Sequence, residues 1–327
     1  MPCPNRLLLA DLRSDDLHDV FRPLEALGVE ILVTHTPQAT REALEAHAFD
    51  ILVLDPRTPD GVEAGLRAID RGREGGHATP ILLVADPLDP IPAVIAGRSL
   101  REGPWDLVHR DAPHEEILLR AERLVDQSRT LDDLERARYQ ASHDERTGLL
   151  RAGPFDERLR EHFSAAQRHR IAIALVLVDL DDFGAVNKRF DHTVGDELIA
   201  RAGSVIRMSL RAEDVGARIG GDEFALVLPY TQRVDAARVV SRLAGRFRAL
   251  SGPPPRGAGV HRNGDASIRV SASLGFETFD GTDIESVDEL RQRAERALQG
   301  AKERGGDQGV YYRNLGSPPA SREMAAG

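Results

Sequence analysis

Cysteine is almost missing from this 327-residue chain: Cys3 stands alone, so no disulfide can close within it, as expected in a reducing cytoplasm. Long apolar runs are missing too. The longest, Ile171 to Val178, has eight residues where a membrane span needs about 20. The start, Met1 to Arg6, lacks the pattern of a secretory leader, because the leucines at 7–9 are followed at once by acids. These shortages lead to the expectation of a cytoplasmic protein with no membrane partner. Positive charge is outweighed, leaving a net charge of -10, which argues against broad binding to nucleic acid or anionic membrane. It does not exclude a nucleotide site, where local positive charge and a divalent ion decide. Zinc-type Cys/His spacing, internal repeats and a supported Ser-His-Asp set are also lacking.

What is present is more than one core can hold, and 327 residues suit two domains. The most informative stretch runs from Ala217 to Leu228. It sets Gly220, Gly221, Asp222 and Glu223 between short apolar runs that read as strands. Glycine lets another molecule approach the main chain without meeting a Cβ, and a hairpin tip of this kind can hold a metal and a phosphate. Taken alone, it reads first as an ordinary surface hairpin.

A second carboxylate centre lies upstream. The apolar run 171–178 has the length and continuity of a central strand covered on both faces. It ends at Asp179, Leu180, Asp181, Asp182 and Phe183. Carboxylates where a buried strand emerges suit Mg²⁺, which takes oxygen ligands and shares them with substrate phosphates. The alternative is a solvated turn with aspartate capping the next helix.

Together these motifs resemble the GGDEF diguanylate cyclases, over about half the chain, from His143 to about Arg313. Between Val178 and Asp196, the residues Asp179, Asp181, Phe183, Asn187, His192, Gly195 and Asp196 fall in register with D-x-D-x-F-K-x-x-N-D-x-x-G-H-x-x-G-D. Asp144 to Leu149 matches D-x-L-T-G-L, Val270 to Gly275 matches a serine-glycine strand, and Ala294 to Lys302 resembles the last helix. The resemblance implies an enzyme that joins two GTP molecules into cyclic di-GMP and releases pyrophosphate, working as a homodimer because one domain holds one GTP. It implies Mg²⁺ (or Mn²⁺) held by Asp179, the Leu180 carbonyl, Asp222 and Glu223, with Asp222 and Glu223 as catalytic carboxylates. Asn187 and Asp196 would read a guanine edge, and Phe183, His192, Gly220, Gly221 and Lys302 complete the substrate positions. Arg211 and Asp214 match R-x-x-D, the inhibitory site for cyclic di-GMP; on the residues alone they are equally an exposed ion pair.

The departures are specific. Gly184 stands where the family has a lysine that steadies the triphosphate, and Gly306 stands near a second common basic position. Lys188 replaces an aspartate, Asp191 a glycine, and Arg146 the leucine of D-x-L-T. Lys188 lies one helical turn beyond Gly184 if that stretch is helical, and is then a substitute cation. The missing lysine leaves open a second reading, a non-catalytic sensor that binds GTP or cyclic di-GMP and signals through a protein partner.

Residues 1–112 show apolar strand-like runs at 6–10, 29–33, 50–54, 80–84 and 106–108, with helical patterns at 37–47 and 62–71. Such alternation predicts a doubly wound (βα)5 domain, with Asp11 and Asp55 at the carboxyl ends of strands. It resembles a response-regulator receiver with Asp55 as the phospho-acceptor candidate beside Asp11, and a sensor histidine kinase as the implied partner. Ala85 and Arg110 replace the hydroxyl residue and lysine that such domains use.

Residues 113–142 predict a helical linker, with Leu124, Leu131, Leu134 and Ala141 as a seam for a partner helix or for the helix's own domain. The fold expected is therefore α/β in two domains. A receiver-like unit, 1–112, and the linker precede a palm-like α+β GGDEF domain, 143–315, built on a mostly antiparallel sheet. Residues 251–265 read as a loop and 316–327 as a disordered tail.

Overall fold

Continuous apolar runs build the central strands in both halves of the computed structural model, which describes residues 5–12, 16–56, 79–85, 103–190, 192–252 and 268–316. The helical pattern at 62–71, the loop at 253–265 and the tail from 317 lie outside the described residues. The chain divides into two compact units, Met1–Ala137 and Arg138–Gly327.

In the first unit, β1 (Arg6–Asp11), β2 (Glu30–Thr34), β3 (Ile51–Asp55), β4 (Ile81–Ala85) and β5 (Trp105–His109) form a parallel sheet in the order β2-β1-β3-β4-β5. Along β1, Leu7 and Leu9 face α1 (Asp16–Glu25) and the first turns of α3 (His114–Ser142), whereas Leu8 and Ala10 face α2 (Pro37–Ala46). A strand covered on both sides cannot alternate with polar residues, which is why these runs are continuously apolar. On α3, Ile117, Ala121, Leu124 and Val125 are buried as one stripe. Leu124 thus belongs to its own domain's core, correcting its place in a seam for a partner. Leu131, Leu134 and Ala141 are exposed.

The second unit has a sheet ordered β10-β9-β6-β8-β7, from β6 (Ile173–Leu180), β7 (Val215–Arg218), β8 (Glu223–Pro229), β9 (Ala272–Phe279) and β10 (Gly309–Tyr311). All neighbours are antiparallel except β9 and β10. Central β6 is buried throughout. Val176, Val178 and Leu180 face α6 (His192–Arg207) and α7 (Arg233–Arg248), while Leu175 and Leu177 face α4 (Ala152–His169) and α8 (Val287–Glu303). Gly275 in β9 lets α8 lie on the sheet: a Cβ there would stand 2.0 Å from the Leu298 backbone nitrogen. That close approach carries Lys302, near the end of α8, to the end of β6. A short helix, α5 (Phe183–Phe190), follows β6 directly.

Candidate active site

The pairing of β6 with β8 sets Asp179 directly opposite Glu223, and the Leu180 N–H donates to the Asp222 carbonyl at 3.2 Å. Opposed residues of an antiparallel pair present their side chains on the same face, and like charges so placed repel. Burial pushes the Asp179 carboxyl above its usual range; Lys302 pulls it back, and the charges of Asp222 and Asp181 raise it again. Lys302 Nζ lies 2.7 Å from Asp179 Oδ2 and is the cation that relieves the repulsion here.

The oxygen donors at this corner suit a hard divalent ion. Among the described residues no three acidic, histidine or cysteine side chains close on a metal position by themselves. Mg²⁺ sites commonly use one or two carboxylates and are completed by substrate phosphates, so the donor set fits a metal that arrives with a nucleotide. Glu223 curls over the tip, where a Cβ on Gly220 would meet its Oε2 at 2.6 Å. Neither Gly220 nor Gly221 adopts positive φ. A side chain at 220 would push the Glu223 carboxylate aside, and exposed Gly221 leaves the tip open to approach.

Asp181 has a different task from Asp179. Its carboxylate accepts from Ser271 Oγ at 2.7 Å, Ser273 Oγ at 2.6 Å and the Asp307 N–H at 2.9 Å. Gly306, at φ 71°, presses against it so closely that a Cβ would lie 2.9 Å from Asp181 Oδ1. The acidic cluster therefore divides into a site residue and an anchor that ties β6, β9 and the turn after α8. At this φ and this distance, any side chain at 306 would be strained.

Sequence reasoning missed Arg218. Its guanidinium donates to the carbonyls of Gly220 and Gly221, with Nη2 at 2.7 Å from the latter, and pairs with Asp144 at 3.0 Å. Asp144 also accepts from the Thr147 N–H and hydroxyl. Burial pushes the Asp144 carboxyl up, but Thr147 and Arg218 outweigh it and hold it below its usual range. An arginine immediately before the tip, with five donors to satisfy, was the available signal.

On the opposite side of β6, Asn187 in α5 meets Gly195 in α6, where a Cβ would stand 1.8 Å from Asn187 Oδ1. That oxygen is buried without a hydrogen-bond partner, an arrangement that calls for a donor. Asp196 follows and accepts from Arg146 Nη2 at 2.7 Å. Phe183 is half-buried under Gly195, and His192 is exposed at the start of α6. Gly184 and Lys188 are both exposed and a helical turn apart on α5. A Cβ at 184 would meet nothing within 4 Å. Asp191 is outside the described residues.

Arg211 and Asp214 do not pair through their side chains. Asp214 accepts from the Arg211 N–H at 2.9 Å and is pushed up by burial, while the Arg211 guanidinium faces solvent, 4.0 Å from Glu213. In the first unit, buried Asp55 accepts from Arg110 Nη1 at 2.5 Å, with buried Asp11 4.0 Å from Nη2.

This geometry accords with comparison to known proteins. The family model described as diguanylate cyclase, GGDEF domain, matches residues 141–308, just over half of the chain. The chain belongs to that family. MucR of Pseudomonas aeruginosa, a bifunctional diguanylate cyclase/cyclic di-GMP phosphodiesterase, is 31% identical over 184 residues, 56% of this chain and 25% of that protein. The diguanylate cyclase TpbB of the same species is 35% identical over 124 residues, 38% of this chain and 28% of that protein. The chain thus spans about a quarter of the length of these relatives. The crystal structure of the coiled coil and GGDEF domain of DgcB from Caulobacter crescentus, in complex with c-di-GMP, is similar in fold. It has a TM-score of 0.54 and 24% identity over 61% of this chain and 100% of that one. The parallel sheet of residues 6–109 is consistent with a receiver-like domain. No described helix is long and apolar enough to cross a membrane.

Proposed function

We propose that this chain is a diguanylate cyclase, and the observation that carries the reading is Asp179 facing Glu223 beside Asp222, with Lys302 on Asp179. Asn187 and Asp196 hold the guanine of one GTP, with His192 and Phe183 beside it, and Gly220 and Gly221 admit its phosphates to the tip. Lys302 exchanges Asp179 for phosphate oxygens. Asp179, the Leu180 carbonyl, Asp222 and Glu223 would hold Mg²⁺ or Mn²⁺, whose contribution is charge neutralisation on the triphosphate and a more acidic ribose hydroxyl. Asp222 takes the proton from the 3′-hydroxyl of one nucleotide. The freed oxygen bonds to the α-phosphorus of the other, and the bond to the β-phosphate breaks, releasing pyrophosphate. Repeating the step closes cyclic di-GMP with loss of two pyrophosphates. Each domain supplies one nucleotide, so two copies must face each other, with Leu131, Leu134 and Ala141 of α3 as the apolar surface for pairing.

Purified chain incubated with GTP and Mg²⁺ is expected to yield cyclic di-GMP on chromatography. Asp222→Asn should reduce the yield at least about 100-fold with nucleotide binding retained. Binding without turnover in the parent chain would favour the sensor reading instead. Product is proposed to inhibit through solvent-facing Arg211 with half-buried Asp214; equal inhibition of parent and Arg211→Ala would reject that role. Phospho-control through Asp55 and Asp11 is tested by beryllofluoride, and unchanged activity would dismiss it.

A further inference from the structure

Arg146 occupies a position whose family pattern has leucine, and packing unrelated to its own side chain fixes where it stands. The loop Asp144 to Leu149 lies along α6. Thr147 rests on Gly203, where a Cβ would be 2.5 Å from Thr147 Cβ, and Arg207 Nη1 donates to the Thr147 carbonyl at 2.6 Å. Asp144 fastens the same loop through two bonds from Thr147. Two turns along α6 from Gly203 stands Asp196, and Arg146 Nη2 reaches its Oδ2 at 2.7 Å. The side chains are 52% and 46% exposed, so as a bare ion pair this contact is screened by water and holds little. Its interest is what lies beside it: the buried, unpartnered Asn187 oxygen against Gly195, one residue before Asp196.

We infer that Arg146 is a specificity-determining residue that selects guanine over adenine, an inference that rests on Asn187 and Asp196 being the base site. A carboxylate that accepts from guanine N1–H and the 2-amino group lies next to O6 on the ring. On this inference the Arg146 guanidinium sits on the carboxylate oxygen that takes N1–H, which is the O6 side, with four N–H donors left in its fork. Arginine matches guanine O6 and N7 as a pair of acceptors. Adenine carries an amino group where O6 would be, setting donor against donor, and its N1 offers no hydrogen to Asp196. Leucine at this position offers no hydrogen bond to either base.

The test is calorimetric binding of α,β-methylene analogues of GTP, ITP and ATP to the full chain with Mg²⁺. Inosine keeps O6, N7 and N1–H and lacks only the 2-amino group. Arg146→Leu is expected to weaken the guanosine and inosine analogues alike, by about 10- to 100-fold, and to leave the adenosine analogue unchanged or tighter. Arg146→Lys, which keeps the charge without the fork, should fall between. Equal weakening of all three would mean attraction to phosphate alone and overturn the inference, as would unchanged or tighter guanosine binding, with the base site still standing. Absence of guanosine binding in the parent chain would remove the base site and this inference together.

Discussion

Asp179 and Asp181 differ by two positions and share a side chain, yet buried Asp179 pairs with Lys302 at the candidate site and Asp181 is consumed by three hydrogen bonds. What separates them is the end of β6: Asp179 is the last residue paired with β8, and Asp181 turns towards β9. The same scale governs the missing lysine. Position 184 is exposed and helical, and open around its Cβ. The Cβ of a lysine there meets no obstacle, and helix propensity favours lysine over glycine. Gly184→Lys is expected to raise kcat by about 10- to 100-fold with little change in KM, measured as cyclic di-GMP formed under saturating GTP. If Lys188, on the same face of α5, already supplies that charge, Lys188→Ala will lower kcat and the gain at 184 will shrink.

The hairpin β7–β8 owes its tip geometry to a relay across elements, from Thr147 through Asp144 and Arg218 to the carbonyls of Gly220 and Gly221. The Asp144 carboxyl is held below its ordinary value of 3.8 in the folded chain. A depressed acid contributes stability at pH values above its unfolded pKa and loses it as pH falls through the folded one. Asp144→Asn keeps an acceptor for Thr147 but removes the charge facing Arg218. The variant should be less stable by about 1–3 kcal/mol at neutral pH. That difference should hold down to the unfolded value and close only at more acidic pH, as read from urea unfolding across a pH series. A gap that persists at strongly acidic pH would mean that the charge of Asp144 contributes nothing. Activity should fall as well, because the tip carries Asp222.

For the whole molecule, the proposed chemistry cannot be completed by one copy, since the proposal gives each domain a single nucleotide. Specific activity should therefore rise with protein concentration until the pairing saturates, and a rate per chain independent of dilution would count against the two-copy reaction. Leu131 and Leu134 are 42% and 44% exposed, which leaves α3 an apolar strip outside its own core. Substituting both with lysine should move the concentration needed for activity upward while leaving the unfolding of each unit little changed, because neither leucine belongs to the buried core.

Patterns local to the chain settled the element types. Continuous apolar runs marked strands covered on both faces, alternate strands and helices marked the parallel first unit, and the spacing of glycines and acids marked the hairpin and the family. These are consequences of side-chain period and backbone freedom, so they can be read without knowing what packs on what. Only the fold decided which acid faces the site and which anchors it, that Arg218 braces the tip, that Leu124 is core, and that Arg146 meets Asp196. Each depends on residues 50 or more positions apart coming together, or on which face of an element is covered, and neither spacing nor composition carries that information.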